Sequence, residues 1–294
     1  MRRVRPQLMH LHSSKAGLAG RLAALGTATT VIYQPHGWSF EATTGVVRRL
    51  STLWERVGAQ LCDDVVCVSE AERDRGVLAG IGRPMTVVVN GVAVDRTPAD
   101  ERDRRVARHA LGLADVPTLA CVGRLCEQKG QDVLLRAWPQ IRSLVPSAQL
   151  VFVGSGPDED ELRAFGAPNV LFAGARDDVD TWLAASSVVV VPSRWEALSL
   201  GLLEAMAAGR TVVATDVDGV REALGDELGA VVPPEDPGAL VHPIVERLLD
   251  RELAALEGKR SAERAKERFD AARTHDEMAE LYVRHLDRIG YQGR

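Results

Sequence analysis

Along most of the chain, short apolar runs rich in β-branched residues alternate with longer stretches compatible with helix. The runs fall at residues 7–11, 30–33, 65–68 and 86–89, then at 118–122, 150–153, 170–172, 188–191, 211–214 and 230–232. They are nearly continuous in hydrophobicity rather than alternating, the pattern of strands covered by helices on both faces. Strands separated by helix-length segments predict parallel pairing through crossovers, hence an α/β, doubly wound parallel-sheet fold.

The rhythm breaks once. Between Asn90-Gly91 and Pro117 the sequence turns polar and predicts an interdomain linker with one amphipathic helix over 91–116. That divides the chain into 1–90, with four candidate strands, and 117–273, with six. A doubly wound nucleotide-binding unit normally has about six strands, so the first domain is expected to be incomplete at its N-terminal side. After Pro237 the strands cease, and charged, helix-compatible sequence runs to Tyr291.

With 46% apolar and 26% charged residues the chain is globular in composition, and no apolar run approaches the ~18 residues of a spanning helix. The basic start Met1-Arg2-Arg3-Val4-Arg5 is not followed by the apolar stretch of a signal peptide, so a cytoplasmic location is expected. A net charge of −5 gives no global electrostatic attraction to nucleic acid. The charge is uneven, however: residues 1–60 carry eight lysines and arginines against Glu41 and Glu55, a net +6 that leaves −11 for the remainder. Such a basic part suits peripheral contact with an anionic inner-membrane face or a phosphorylated acceptor, with a merely solvated face as the alternative.

The four cysteines occur as Cys62-x4-Cys67 and Cys121-x4-Cys126, a count that could close a tetrahedral zinc site. Cys67 and Cys121 lie inside apolar strand runs, and buried free thiols explain them better. No metal site is expected.

Two strand ends carry the candidate chemistry. The run 118–122 ends in Gly123-Arg124-Leu125-Cys126-Glu127-Gln128-Lys129-Gly130 ahead of a helical stretch. Ligands of open parallel sheets bind beyond the carboxyl ends of the strands, and two cations beside a helix N-terminus suit a diphosphate. The run 188–191 ends in Pro192-Ser193-Arg194-Trp195-Glu196-Ala197-Leu198-Ser199 and an apolar helix that Gly209 can terminate. Glu196 falls in the loop and Glu204 inside the helix, where flanking Leu202, Leu203, Ala205 and Met206 demand a partner for its charge. A carboxylate can accept both hydroxyls of a vicinal diol, so both glutamates are candidate sugar readers. Gly154-x-Gly156 after a strand hints at a dinucleotide fingerprint, but the third glycine is replaced by Glu159.

With these residues in view, the second half resembles a family 4 glycosyltransferase of the GT-B fold. Gly123 to Gly130 matches the family's Gly-Arg-x4-Lys-Gly element, and Glu196 to Glu204 matches its Glu-x7-Glu element. Val153-Gly154-Ser155-Gly156-Pro157 and Asn90-Gly91-Val92 fit between and before them. Upstream, His10-Leu11-His12-Ser13-Ser14-Lys15-Ala16-Gly17 and Pro35-His36-Gly37-Trp38-Ser39-Phe40 resemble the later part of the family's N-terminal domain.

The resemblance implies two Rossmann-like domains, the N-terminal one incomplete, and a C-terminal helix over 274–294 returning to the N-terminal domain. It implies transfer of a sugar from a nucleotide-diphosphate sugar to a glycan, lipid-linked or small-molecule acceptor, with retention and without a metal or other cofactor. Residue by residue, Arg124 and Lys129 would hold the donor diphosphate beside Gly123, and Glu204 the ribose. Glu196 and His36 would hold the transferred sugar, and the backbone of Ala197, Leu198 and Ser199 would approach sugar and phosphate. Phe172 to Gly174 would touch the base through main-chain atoms, and His12, Ser13 and Lys15 would be the acceptor-side loop, unless a serine there only caps a helix. Two departures stand out: Ala197 replaces the family's usual glycine, and the family's first strand and glycine-rich loop have no counterpart in the sequence. Poor transfer by this chain, or a partner-dependent nucleotide-sugar-binding role, is the alternative expectation. Asp177-Asp178 is expected to cap the helix that follows.

Overall fold

The computed structural model describes residues 4–95, 98, 100–225, 227–288 and 290. The chain forms two units: the described residues of Met1–Gly91, Trp195–Leu198 and Ala271–Arg294 make the first, and those of Val92–Arg194 and Ser199–Asp270 the second.

In the first unit, β1 (Leu8–His12), α1 (Ser13–Ala24), β2 (Thr30–Gln34), α2 (Gly45–Ala59), β3 (Asp64–Cys67), α3 (Glu70–Leu78) and β4 (Met85–Val87) alternate in sequence. The four strands lie in the order β1-β2-β3-β4, all parallel, with Leu8 opposite Thr30 and Val65 opposite Met85. Successive side chains of a strand take opposite faces. Val31 and Tyr33 accordingly join Leu11, Trp38, Phe40, Val65 and Cys67 on one side, while Ile32 joins Val66, Val88 and Leu281 on the other. Leu281 belongs to the C-terminal helix, Ala271–Arg288, whose Thr274 hydroxyl donates to Val89 O at 2.8 Å and whose His285 meets Asp64 at 3.1 Å.

A wholly buried ion pair joins α1 to α2. Arg21 Nη2 lies 3.3 Å from Glu55 Oε2, and its guanidinium sits 4.2 Å above the Tyr33 ring. Glu55 Oε1 also accepts from Tyr33 at 3.3 Å and from Ser39 at 2.8 Å. Burial, with the Glu55 carboxylate beside it, pushes the Tyr33 phenol far above its ordinary range.

The second unit begins with α4 (Glu101–Ala110) and continues β5 (Thr118–Val122), α5 (Gln131–Leu144), β6 (Gln149–Val153), α6 (Glu159–Ala164) and β7 (Val170–Gly174). It goes on with α7 (Val179–Ala185), β8 (Val188–Val191), α8 (Leu200–Ala207), β9 (Thr211–Thr215), α9 (Val220–Leu224), β10 (Gly229–Val232), α10 (Pro237–Leu249) and α11 (Arg251–Arg268). Its six parallel strands run β10-β9-β8-β5-β6-β7, so the winding reverses between β5 and β8. Trp138, Ile141, Leu150, Phe152 and Val188 fill one face of this sheet, and Val151, Val153 and Trp182 the other.

Some details differ from the sequence expectations. Within the stretch 91–116 the expected helix is α4, and contact grouping places it with the second unit. The C-terminal helix starts at Ala271, just after the second unit closes through Val92 N donating to Phe269 O at 2.8 Å. Asp178 stands at the head of α7 without capping it; its carboxylate instead accepts from Arg176 and from Trp182 Nε1. Ser13 opens α1 rather than capping it. Arg2 and Arg3 of the basic start, and the end of the 274–294 segment, lie outside the described residues.

All four cysteines are free and buried. Burial pushes the Cys62 thiol up to about 11 and that of Cys121 up to about 12, and Cys67 is raised by the same cause.

Candidate functional site

The reversal of winding in an open α/β sheet leaves a crevice at the carboxyl ends of the two strands that flank it. Here those ends are the β5 loop, 123–130, and the β8 loop, 192–199. The β5 loop leaves its strand through Gly123 and reaches a single 3-10 turn, Glu127–Lys129. Gly130 then starts α5 at φ +65°, where a Cβ would collide with the carbonyl of Pro192, so only glycine lets the two loops approach this closely. The same holds at Gly154 (φ +140°), whose Cβ would strike Gly123 O.

Backbone bonds lace the loops together. Gly123 N donates to Val153 O at 2.9 Å, Leu125 N to Ser155 O at 3.0 Å, Gly154 N to Gly174 O at 2.8 Å, and Arg194 N to Gln128 O at 2.8 Å. Arg194 adds a two-pronged contact with Asp132, both prongs 2.8 Å, and donates to Glu127 O at 2.7 Å. Burial opposes ionisation of Asp132, yet the hydrogen bonds and charge of Arg194 hold its carboxyl below the ordinary range. The Arg194–Asp132 clamp is the supporting element that sequence spacing did not reveal, since 62 positions separate its partners.

Within this frame Arg124 is exposed and tethered through Nε to Cys126 Sγ at 3.4 Å, while Gln131 Nε2 fixes its carbonyl at 3.0 Å. The aliphatic stem of Lys129 lies across Gly123: a side-chain carbon there would meet its Cδ and Cε at 3.7 Å. On α8, Glu204 is half-buried, and burial raises its carboxyl pKa against the opposing charge of Lys129. Lys129 and Glu204 are therefore electrostatic neighbours. Ser199 occupies the N-cap position of α8 without a capping bond from its side chain, which leaves the first N–H groups of the helix without that internal partner.

The tip of the β8 loop, Trp195–Leu198, is grouped with the first unit, where the buried Ser69 hydroxyl donates to Ala197 O at 2.8 Å. Glu196 is buried there, at 7% exposure. Phe172 is turned away from this frame. Its ring lies 5.1 Å from that of Phe152, in the core, and under the Arg163 guanidinium at 4.5 Å, so only its main chain can serve a ligand. Gly174 ends β7 at φ +73°, its carbonyl already accepting from Gly154.

In the first unit, His12 ends β1 and His36 follows the adjacent β2, and they meet: His12 Nδ1 is 2.8 Å from His36 Nε2, with the rings stacked. His10, two residues before His12 and so on the same strand face, packs its ring at a tilt against that of His12, centroids 4.0 Å apart, and meets the Tyr282 hydroxyl at 2.6 Å. That periodicity was the signal by which His10 could have been found from sequence. Burial, with the neighbouring His12 and His36, pushes His10 down to about 4; burial lowers His12, and burial together with His12 lowers His36. Near neutral pH the three rings are uncharged, able to donate to or accept from a hydroxyl without attracting an anion. His36 holds φ +54°, a conformation unusual outside glycine. Ser13 and Lys15 are exposed at the start of α1.

Two sequence models of known families match this chain. Residues 1–96 match Glycosyltransferase Family 4, and residues 116–250 match Glycosyl transferases group 1. Among curated proteins, the chain is 26% identical to an Escherichia coli UDP-Gal:alpha-D-GlcNAc-diphosphoundecaprenol alpha-1,3-galactosyltransferase, over 94% of this chain and 75% of that one. It is 32% identical to a Mycobacterium tuberculosis GDP-mannose-dependent alpha-(1-6)-phosphatidylinositol monomannoside mannosyltransferase, over 80% of this chain and 65% of that one. A Corynebacterium glutamicum protein named as a GDP-mannose-dependent monoacylated alpha-(1-6)-phosphatidylinositol monomannoside mannosyltransferase is 37% identical, but the match spans only 46% of its length. Among solved structures, Anabaena Alr3699/HepE in complex with UDP and glucose is 25% identical with a TM-score of 0.83, over 94% of this chain and 77% of that one.

Proposed function

Since the chain belongs to the family 4 glycosyltransferases, with its two parallel-sheet units in the GT-B arrangement of sequence, we propose that it transfers a hexosyl group from a nucleotide-diphosphate sugar to a glycan or lipid-linked acceptor. The observation that carries this reading is the placement of Arg124 and Lys129 at the winding reversal of the second sheet, with Glu204 as the electrostatic neighbour of Lys129. When the bond from the anomeric carbon to the diphosphate breaks, negative charge grows on the departing oxygens. Two cations on the β5 loop, aided by the helix N-termini that follow these strand ends, stabilise that charge. In this reading they take the part a divalent cation plays in other transferases, and the sugar is passed on with retention of its anomeric configuration. Glu204 accepts hydrogen bonds from the ribose hydroxyls, donors that replace part of the hydration its carboxylate loses on burial. Glu196 and the backbone of Ala197 to Ser199 attend the transferred sugar, with His36 as a neutral hydroxyl partner and His12, Ser13 and Lys15 toward the acceptor.

Titration of the chain with UDP and with GDP tests the donor assignment. Saturable binding of one of them below millimolar concentration is expected, and Glu204→Ala should weaken nucleoside and nucleoside diphosphate alike, by about 1.5–3 kcal/mol for a charged hydrogen-bond partner. No binding of either nucleotide overturns the assignment. Binding without transfer to any acceptor points to the nucleotide-sugar-binding role instead.

The acceptor side carries a membrane signature. On α2, Val46, Leu50, Leu53 and Val57 form an exposed apolar stripe at helical spacing, and Leu18 and Leu22 on α1, with Leu25 just after it, are exposed as well. Exposed Lys15, Arg48, Arg49 and Arg56 accompany them, the combination that seats a helix on an anionic bilayer. No helix among the described residues is long and apolar enough to cross a membrane. Peripheral contact with the inner, cytoplasmic membrane face is therefore part of the reading. Co-sedimentation with phosphatidylglycerol vesicles should fall at least fivefold in Leu50→Glu/Leu53→Glu protein and in high salt. Equal recovery with vesicles for both proteins would assign the stripe to another role.

A further inference from the structure

The opposite edge of the second sheet holds a cavity of about 790 Å³. It opens at the amino ends of β5, β8 and β9, where Pro117, Ser187 and Gly209 line it, so the sheet separates it from Arg124 and Lys129. One wall is α4, which supplies Arg104, Arg105 and Arg108; the other is the end of α10 and the first half of α11, which supply Arg247, Arg251 and Lys259. Against these six cations stand four carboxylates, those of Asp100, Glu101, Asp115 and Glu252.

Part of this charge has structural work. Arg108 donates Nε to Ala185 O at 2.9 Å and its Nη groups to Asp115 at 2.8 Å and Ser187 at 2.9 Å. Arg247 holds the buried Glu257 at 2.6 and 2.8 Å. Behind them Arg210 donates to Ala208 O and Ser186 O, the carbonyls that end α8 and α7, the usual service of a cation at a helix C-terminus.

The rest has none. Arg105, Arg251 and Lys259 are exposed and form no ion pair among the described residues. Arg104 is only partly engaged: it pairs with Glu101, and its Nε is buried without a hydrogen-bond partner. Like charges also crowd: burial, then Arg108 and Arg251, lower the Arg104 pKa, and burial, then Arg104, push Arg210 down to about 10. A chain with a net charge of −5 gathers cations this closely at one cavity, and a multivalent anion is the ligand that relieves the crowding.

We propose that this cavity is a second anion site, distinct from the donor crevice, that takes the phosphoryl or pyrophosphoryl group of a phosphorylated small molecule between Arg104 and Arg105 of α4 and Arg251 and Lys259 of α11. The volume falls in the range of sites that enclose a whole small ligand, roughly 300–1,000 Å³, so the phosphoryl group is the anchored end of something larger. The site stands whether or not the donor assignment does, because none of its residues is shared with it.

Inorganic pyrophosphate is the probe, and calorimetric titration of the full chain the measurement. In Arg124→Ala protein, where the donor crevice has lost a phosphate ligand, one equivalent of pyrophosphate is still expected to bind. Adding Arg105→Gln, Arg251→Gln and Lys259→Gln, three exposed positions whose change does not threaten the core, should weaken that binding at least tenfold. A parallel arm replaces pyrophosphate with phosphatidylglycerol vesicles. Loss of vesicle binding on the triple change, with free pyrophosphate also bound by the parent, identifies a lipid headgroup as a competent source of the phosphoryl group; an effect on pyrophosphate alone identifies a soluble one. The proposal is overturned if Arg124→Ala protein binds no pyrophosphate, or if the triple change leaves its affinity within twofold.

Discussion

Arg124→Ala should reduce sugar transfer by about 10²–10³-fold, the usual loss when one fixed donor to a developing negative charge is removed. Arg124 is the first side chain to leave β5 at the winding reversal, exposed and restrained only through Cys126 Sγ and its own carbonyl. Its removal breaks no core contact, so the loss should appear in turnover and in diphosphate affinity rather than in stability. Binding of the free nucleoside, which has no phosphate for the guanidinium to hold, should change by less than twofold. Arg124→Lys should recover only part of the rate, because a point charge cannot reproduce the two-pronged guanidinium contact. Equal weakening of nucleoside and nucleoside diphosphate would remove Arg124 from the phosphate role.

The largest effect on folding is expected from Arg21→Met. The pair Arg21–Glu55 has no exposure on either side chain, and deleting one member strands the other as an uncompensated buried charge, at about 3–5 kcal/mol. Glu55 would retain Tyr33 and Ser39 as donors, which is why the loss should be finite rather than abolish folding. Arg21→Met/Glu55→Gln should regain roughly half of it, since a neutral amide costs less to bury than a carboxylate. Denaturant titration followed by tryptophan fluorescence reads the result, with Trp54 only 4.9 Å from the guanidinium as a local reporter. A cost below about 1 kcal/mol for the single change would mean that water reaches Glu55 and that the pair is not the pin between α1 and α2.

The ten strands among the described residues were legible in the sequence, because each is an apolar run too short for a helix and closed off by turn residues. Only their ends moved: β4 covers Met85–Val87 rather than 86–89, pairing just as far as Cys67 allows. Strand order was not legible, since the same alternation serves any sequence of crossovers; only the sheet shows that β5 and β8 are neighbours and that their two loops share a crevice. The candidate residues of those loops, Arg124, Lys129, Glu196 and Glu204, could be placed at strand ends and on a helix because glycines and helix starts lie close to them in sequence. What escaped was chemistry assembled over distance. Arg194 and Asp132 are 62 positions apart, and the Tyr282 hydroxyl reaches His10 across 272. Phe172 was read for its main chain, while its ring went to the core beside Phe152, as a strand residue of that face must. Asp178 lost its capping role to Arg176, a competitor two residues away with a full positive charge.

The four buried cysteines have a practical corollary. With Cys62, Cys67, Cys121 and Cys126 enclosed and thiolate formation disfavoured at the first three, the native surface offers maleimide dyes and nitroxide spin labels little to react with. A cysteine introduced at exposed Leu50 in the first unit and another at exposed Leu144 in the second would take up such probes selectively. The unaltered thiol background thus suits the protein to single-molecule energy transfer or pulsed dipolar spectroscopy, in which the spacing of the two units is followed as nucleotide is added.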